Sequence, residues 1–446
     1  MFDDTIVAIA TAHGVGSIAI IRLSGKNSLE IVKKLTKRSH FKVRYATLCD
    51  VYNTQEELID ESIVIYFQAP HSFTAEDVVE IQCHGGFVVA QSILQATLDA
   101  GARVANAGEF SKRAFFNGRI DLSEAEAISG LIEAKSEDAA KILAQQMKGS
   151  LKEFIEEVRD EMIHILAYSE VTIDYAEEDL PQDIVMQMQH KLQKLYKLLE
   201  KTLQASQARA GLMQGFRVAL VGKPNVGKSS LLNALLHYNR AIVSEIAGTT
   251  RDTIEEQVKI GTHLIRIVDT AGIRDADDEI ERIGIERSLE AIEQSDIVIA
   301  LFDASRPRDD EDEEILKLLR EYETQKTILY VKTKIDLAPL FDTQGIQFDL
   351  EINSKEDVSV LVEKLQTIMD TTNSSDEVML ISSRQIGAVQ ECMKNIQEAF
   401  EPLEDQELEI FSFHLNEAIK AMASITRPFE NDEMLDKMFG SFCLGK

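Results

Sequence analysis

The stretch VGKPNVGKSSLLN at 221–233 contains Gly222-x-x-x-x-Gly227-Lys228-Ser229. These residue types at this spacing make a phosphate cradle. Glycines let the backbone curl until successive N–H groups face phosphate oxygens. Lys228 can neutralise the outer phosphates, and the Ser229 hydroxyl can hold a magnesium ion. Asn225, Val226 and Ser230 complete the loop and the first helical turn behind it. An apolar run, RVALVG, precedes the cradle and a helical pattern follows, which is the strand–loop–helix setting the chemistry requires.

Other short segments narrow the ligand. TKID, Thr333 to Asp336, follows the apolar run ILYVK. A carboxylate at Asp336 can accept both the ring N–H and the amino group of guanine, and adenine offers no such pair of donors. Lys334 stands beside it, with Thr333 where Asn is more usual. INSK supplies Asn353, Ser354 and Lys355 as a last base-contacting loop, with Asn353 where Ser is common. Asp269-Thr270-Ala271-Gly272 ends the run LIRIV and is placed to hold magnesium through water and sense the third phosphate. Thr249 and Thr250 in AGTTRD are candidates for the switch closing on that phosphate, Thr250 as a second magnesium ligand. The set predicts a GTPase of the translation-factor type. Ile273 follows Gly272, where many GTPases place a glutamine that orients the attacking water. Either hydrolysis is very slow, or another group takes that role; the carboxylates of RDADDEIERIG and Asn225 are the nearby options.

These segments need a frame. Residues 216 to about 372 alternate apolar runs with helical patterns, which predicts a mostly parallel sheet covered by helices on both faces. IAIIRLSG, SIVIYFQ and VVEIQCHGG read as strands and SILQATLDAGA as a helix ending at Gly101, so residues 1–118 form an α+β domain. From DLSEAEAISGLIEAK the texture turns helical, with Ser123 and Glu126 as a capping box. Pro181 separates two long helices. From about 380 the chain is helical again. The predicted fold is multidomain: an α+β domain at 1–118, a helical domain at 119–210 and 380–446, and an α/β GTPase domain inserted at 211–379.

Bulk properties bound the partners. The chain has 446 residues, 44% hydrophobic and 28% charged, with a net charge of −29. An RNA partner must therefore meet a local basic patch, or reach the chain through a second protein. No leader peptide is expected at the acidic start MFDDTIVAIA, since a leader needs basic residues there. The longest uncharged run, Ile6 to Ile21, is too short to span a bilayer. A cytoplasmic protein with no membrane partner is expected. Cys49, Cys83, Cys392 and Cys443 have no zinc spacing; the first three read as plain buried or half-buried thiols.

GEFSKRAFFNGRIDLSEAEA, DEIERIGIERS within the inserted domain and the terminal FCLGK together resemble the MnmE (TrmE) family of tRNA modification GTPases, over essentially the whole chain. The resemblance implies a homodimer that forms a heterotetramer with the flavin protein GidA (MnmG). Such complexes add an aminomethyl or carboxymethylaminomethyl group to carbon 5 of the wobble uridine of certain tRNAs. The one-carbon unit comes from a tetrahydrofolate derivative, 5-formyl- or 5,10-methylene-. By the same resemblance, Arg22, Glu80, Arg119 and Lys446 bind folate, Arg119 standing where Lys is common. Asn225, Ser244, Ile246 and Thr249 bind potassium, which drives G-domain dimerisation, with Ser244 often Thr. Glu281 positions water, which accounts for Ile273. Cys443 is a catalytic thiol of the tail. ITR at Ile425 to Arg427 departs from ITG, and a local turn change is expected there.

SKRAFFNGR has two readings: a solvated basic turn, or tRNA phosphate contact by Lys112 and Arg113. Two rival classes are a ribosome-assembly GTPase and a dynamin-like membrane GTPase. The first needs a basic RNA-binding module after the GTPase domain, which the acidic segment from 380 lacks. The second needs a basic amphipathic or apolar stretch, which is absent.

Overall fold

The computed structural model describes residues 2–12, 14–134, 136–174, 182–208, 211, 213, 215–238, 256–268, 283–353, 357–371, 378–427, 432–442 and 445. Internal contacts divide the chain into two units: residues 1–132, 144–197 and 382–446, and residues 133–143 and 198–381.

The first unit opens with β1 (Ile6–Ile9), β2 (Ile18–Ser24), α1 (Ser28–Thr36), β3 (Thr47–Tyr52), β4 (Leu58–Phe67), β5 (Val78–His84), α2 (Phe87–Asp99), β6 (Arg103–Val104) and α3 (Glu109–Phe116). The strands form one sheet in the order β3-β4-β5-β2-β1-β6, antiparallel except for the β1–β6 pair. Alternation along β2, β4 and β5 sends Ile21, Leu23, Val64, Val79 and Ile81 to one face. There they pack with Ile31, Val32 and Leu35 of α1 and Ile93 and Ala96 of α2. The other face keeps Ile18, Leu48 and Ile63 exposed.

The helices follow: α4 (Leu122–Glu133), α5 (Glu137–Gln146), α6 (Ser150–Asp174) and α7 (Gln182–Ala208). The capping box at α4 is not Ser123 with Glu126. Asp121 and Glu124 form it: Asp121 Oδ1 accepts from the Glu124 N–H at 2.9 Å, and Glu124 Oε2 accepts from the Asp121 N–H at 2.7 Å. The Asp carboxylate is the stronger acceptor, and Ser123 donates to it at 2.7 Å. Glu126 instead accepts from Arg384 at 2.8 and 2.9 Å and from Gln385 at 2.7 Å.

The second unit contains β7 (Phe216–Val221), α8 (Lys228–Tyr238), β8 (Glu256–Ile260), β9 (His263–Val268), α9 (Ile283–Gln294), β10 (Ile297–Asp303), α10 (Asp310–Tyr322), β11 (Thr327–Thr333), β12 (Leu350–Glu351) and α11 (Ser359–Thr371). Strand order is β12-β11-β10-β7-β9-β8, parallel except for the β8–β9 pair. Val218, Leu220, Ile299 and Leu301 pack with Leu231 and Leu235 of α8 and Leu361 and Leu365 of α11. Their strand neighbours Ala219, Val221, Val298, Ala300 and Phe302 pack the opposite way, with Ile292 of α9 and Leu316 and Leu319 of α10. Helices on both faces make the predicted mostly parallel sheet. The start of α5 belongs to this unit too, which its helical texture did not announce. Thr262 Oγ1 donates to Asp138 at 2.8 Å, and Ile142 packs on the sheet core.

The chain ends in α12 (Ser383–Glu398), α13 (Phe400–Glu404), α14 (Leu408–Thr426) and α15 (Asp432–Gly440). Arg384 donates to Ser424 O at 2.7 Å and Ile425 O at 2.9 Å, holding the end of α14 against the start of α12. Arg427 caps α14 in extended conformation, with φ −139°. No described helix is long and apolar enough to cross a membrane. Cys83 and Cys392 are buried and Cys49 half-buried, all free thiols. Burial pushes Cys83 up to about 11 and Cys392 up to about 12.

Candidate functional site

The cradle lies at the C-terminal end of β7, which neighbours β9 on one side and β10 on the other. That reversal of strand order leaves a crevice where open α/β sheets bind ligands. Three positive φ angles curl the loop: Gly222 at 153°, Asn225 at 63° and Gly227 at 112°. A Cβ on Gly222 would meet Leu301 O at 2.6 Å, so only glycine fits. Asn tolerates the left-handed region better than most side chains.

Lys228 Nζ folds over the loop and donates to Gly222 O at 2.5 Å and Lys223 O at 2.8 Å. Val226 is buried, while Asn225, Ser229 and Ser230 are exposed at the mouth. Thr333 Oγ1, fully buried at the end of β11, lies 2.6 Å from Val226 O, to which it donates, and 3.2 Å from Phe302 O. The hydroxyl therefore ties the start of the TKID segment to the cradle. Lys334, at φ 56°, pairs with Asp303 at 2.6 Å. Burial works to raise the Asp303 carboxyl, but hydrogen bonds from Lys334 and Ser305 hold it below the usual carboxylate range. Asp336 is exposed and makes no hydrogen bond or ion pair with the described residues. Asn353 is half-buried and bridges to Asp357.

Sequence reasoning missed the clamp behind the loop. Lys223, the second residue of the cradle, is buried and reaches Asp309 at 2.5 Å and Asp312 at 3.1 Å. Those two carboxylates also form the capping box that starts α10. The signal was present in the acidic run after Pro307, whose first member stands three residues before Asp312. Ser244, Ile246, Thr249, Thr250, Asp269, Thr270, Ala271, Gly272, Glu281, Ser354, Lys355, Cys443 and Lys446 lie outside the described residues.

In the first unit, strand register sets Arg22 of β2 directly opposite Glu80 of β5. Arg22 Nε donates to Glu80 Oε1 at 2.9 Å. The guanidinium also stands 5.7 Å from the Phe73 ring centre and 5.9 Å from that of Phe110. Gly445 O accepts from Arg22 at 3.4 Å, so Gly445 lies beside the pair. A Cβ on Gly445 would meet Ile9 O at 2.7 Å, and its φ is 91°. Arg119 is exposed on the turn after α3 and joins neither Arg22 nor Glu80.

Neither reading of the basic turn fits Arg113. It is fully buried and pairs with Asp4 at 2.6 Å, Glu109 at 3.1 Å and Glu76 at 3.2 Å. Three carboxylates hold a guanidinium that stacks on Phe2, 4.6 Å from its ring centre. No phosphate can reach it. Lys112 pairs with Asp436.

Comparison with known proteins assigns the chain to a family. A family profile described as "GTP-binding protein TrmE N-terminus" matches residues 5–119, and one described as "MnmE helical domain" matches residues 122–443. The chain is 74% identical over 446 residues to the tRNA modification GTPase MnmE of Sulfurimonas denitrificans, covering 100% of both. It is 57% identical to that of Sulfurovum sp., covering 100% of this chain and 99% of the relative. The likeness to that of Aliarcobacter butzleri is 56% over 447 residues, 100% of both. The chain belongs to the MnmE (TrmE) family of tRNA modification GTPases.

Proposed function

We propose that this protein is the GTP-hydrolysing component of a complex that adds an aminomethyl or carboxymethylaminomethyl group to carbon 5 of the wobble uridine of certain tRNAs. The observation that carries the reading is the cradle: Lys228 drawn onto the Gly222 and Lys223 carbonyls, with Thr333 fixing the base-reading segment to Val226. Lys228 neutralises the outer phosphates, Ser229 and Thr250 hold magnesium, and Asp336 reads guanine, with Lys334, Asn353, Ser354 and Lys355 beside the base. Asp269 to Gly272 sense the third phosphate. Asn225, Ser244, Ile246 and Thr249 hold potassium, whose charge stabilises the transition state much as an arginine finger does, and Glu281 orients the attacking water.

Arg22, Glu80, Arg119 and Lys446 hold a tetrahydrofolate derivative, which supplies the one-carbon unit. The Glu80 carboxylate suits the donors of the pterin edge, and Arg22 suits an anionic tail. Cys443 serves the transfer chemistry rather than hydrolysis. The protein acts in the cytoplasm as a homodimer through residues 1–118, paired with GidA (MnmG). The exposed Ile18, Leu48 and Ile63 on the open sheet face support that dimer.

The test is mass spectrometry of wobble nucleosides from cells lacking the protein. The modification should vanish, return with the wild-type chain, and stay absent with Lys228→Ala. A modification that persists in the deletion refutes the reading. Equal hydrolysis rates in potassium and sodium chloride at matched ionic strength would remove potassium from it.

A further inference from the structure

Residues 33–44 read KKLTKRSHFKVR, with six Lys and Arg, and no carboxylate lies between Glu30 and Asp50. No other twelve residues of this acidic chain carry as many cations. The structure turns the run outward. Ile31, Val32 and Leu35 of α1 are buried on the sheet, leaving Lys34 and Lys37 exposed, and Lys42, Arg44 and Tyr45 on the following loop are exposed as well.

The loop is held in shape. Arg44 N–H donates to Tyr66 O of β4 at 2.8 Å, and one Arg44 amino group donates to His71 O at 2.6 Å. Neighbouring acids reach only part of the patch: Glu30 pairs with Lys33, and Glu56 with Lys37. Lys34 and Lys42 make no ion pair among the described residues. Aromatic rings are interleaved with the cations: Lys37 Nζ stands 4.3 Å from the Tyr52 ring centre and Lys42 Nζ 5.3 Å from that of Tyr45. Tyr45 is 58% exposed.

We propose that Lys34, Lys37, Lys42, Arg44 and Tyr45 form the surface on which this protein docks tRNA, the cations on phosphates and Tyr45 under an unpaired base. The inference rests on the reading that the protein acts on tRNA. An exposed ring set among cations suits a nucleic acid, whose unpaired bases stack on such rings while its phosphates meet the cations. A membrane surface would need apolar side chains facing outward from α1, and those are buried. The patch also supplies the local basic site that a chain with a net charge of −29 needs to meet RNA.

The experiment titrates the full-length protein with a tRNA transcript by fluorescence anisotropy at 50 to 200 mM KCl. Lys34→Gln, Lys37→Asn and Lys42→Gln are combined; Asn suits position 37, where φ is 54°. Three lost contacts should shrink the advantage of the wild type over the variant by about 20- to 40-fold across that salt range. Tyr45→Ala should weaken binding about tenfold with no change of salt slope. GTP hydrolysis should be untouched in both. As a control, Lys191→Gln, Lys194→Gln and Lys197→Gln remove the same charge from α7 and should leave the slope alone.

An unchanged slope in the patch variant overturns the proposal, as does an equal change in the control. So does a wild-type chain that binds no tRNA at 50 mM KCl, or a patch variant that loses only vesicles of 30% phosphatidylserine in phosphatidylcholine. Wobble nucleosides separate the two readings. A modification that needs the protein but survives the patch variant, with tRNA affinity unchanged, sinks the docking surface and leaves the proposed function standing.

Discussion

The cradle and the Arg22–Glu80 pair are two candidate ligand sites built on opposite plans. The cradle is backbone: six consecutive residues curl at three positive φ angles, and side chains mainly brace the curl. The pair is side chain: two neighbouring strands bring into register one cation and one carboxylate that are 58 residues apart in sequence. A backbone site must be contiguous, so its spacing is written in the chain. A site gathered across strands leaves only isolated residues, each indistinguishable from a surface ion pair until the register is known.

The contrast predicts where single substitutions act. Gly222→Ala should be the most damaging, because its Cβ would lie 2.6 Å from Leu301 O and 3.0 Å from Val226. Displacing the loop by a fraction of an ångström should lower GTP turnover about 10²-fold or more, read by phosphate release at saturating GTP. Near-normal turnover would mean that the loop is adaptable and that the comparison is drawn too sharply.

Next comes Asp336→Asn. Asp336 waits exposed, without a partner among the described residues. An amide in its place loses one acceptor and turns a donor toward guanine's N–H groups. GTP affinity should fall roughly 30-fold and the preference for guanine should relax, as calorimetric titration with GTP and ATP can measure. Unchanged affinity would assign base reading to another residue.

Thr333→Val should cost about 1–2 kcal/mol in chemical denaturation of the unit that holds it, since Val226 O would lose its donor in a dry site. Thr333→Asn should retain the tie. A neutral Thr333→Val would show that the cradle holds its shape without help from β11.

What the sequence made legible follows the same division. The strands that lead into the cradle and the TKID segment are readable because buried parallel strands are long apolar runs. The sequence does not mark β1, β3, β6 or β8; Thr47–Tyr52 alternates weakly, Ile6–Ile9 is short and lies inside a longer uncharged run, and Arg103–Val104 is only two residues long. Arg113 was misread because charge in a turn normally means solvent, while Asp4 and Glu76, which neutralise it, lie 109 and 37 residues away. Lys223 was passed over for the same reason: Asp309 and Asp312 are 86 and 89 residues distant. The cations of 33–44 were plain in composition, but only the packing of α1 shows which of them face outward.

The smallest effect on stability should come from Glu80→Gln, and it is the sharpest test of the side-chain site. Gln keeps the shape of Glu and can still accept from Arg22, so only the charge is lost. The pair is partly exposed between neighbouring strands, and such pairs are worth about 0–1 kcal/mol. Denaturant midpoints should therefore barely move, and GTP turnover should match the wild type. Affinity for 5-formyltetrahydrofolate, by contrast, should fall about tenfold, because a neutral amide is a weaker acceptor for the pterin donors than a carboxylate. Arg22→Gln should weaken folate binding as well, by removing the partner that orients Glu80. If Glu80→Gln binds folate normally and only lowers stability, the pair is a structural cross-strand contact and no part of a folate site. If it binds normally and stability is also unchanged, register alone has set these two residues side by side.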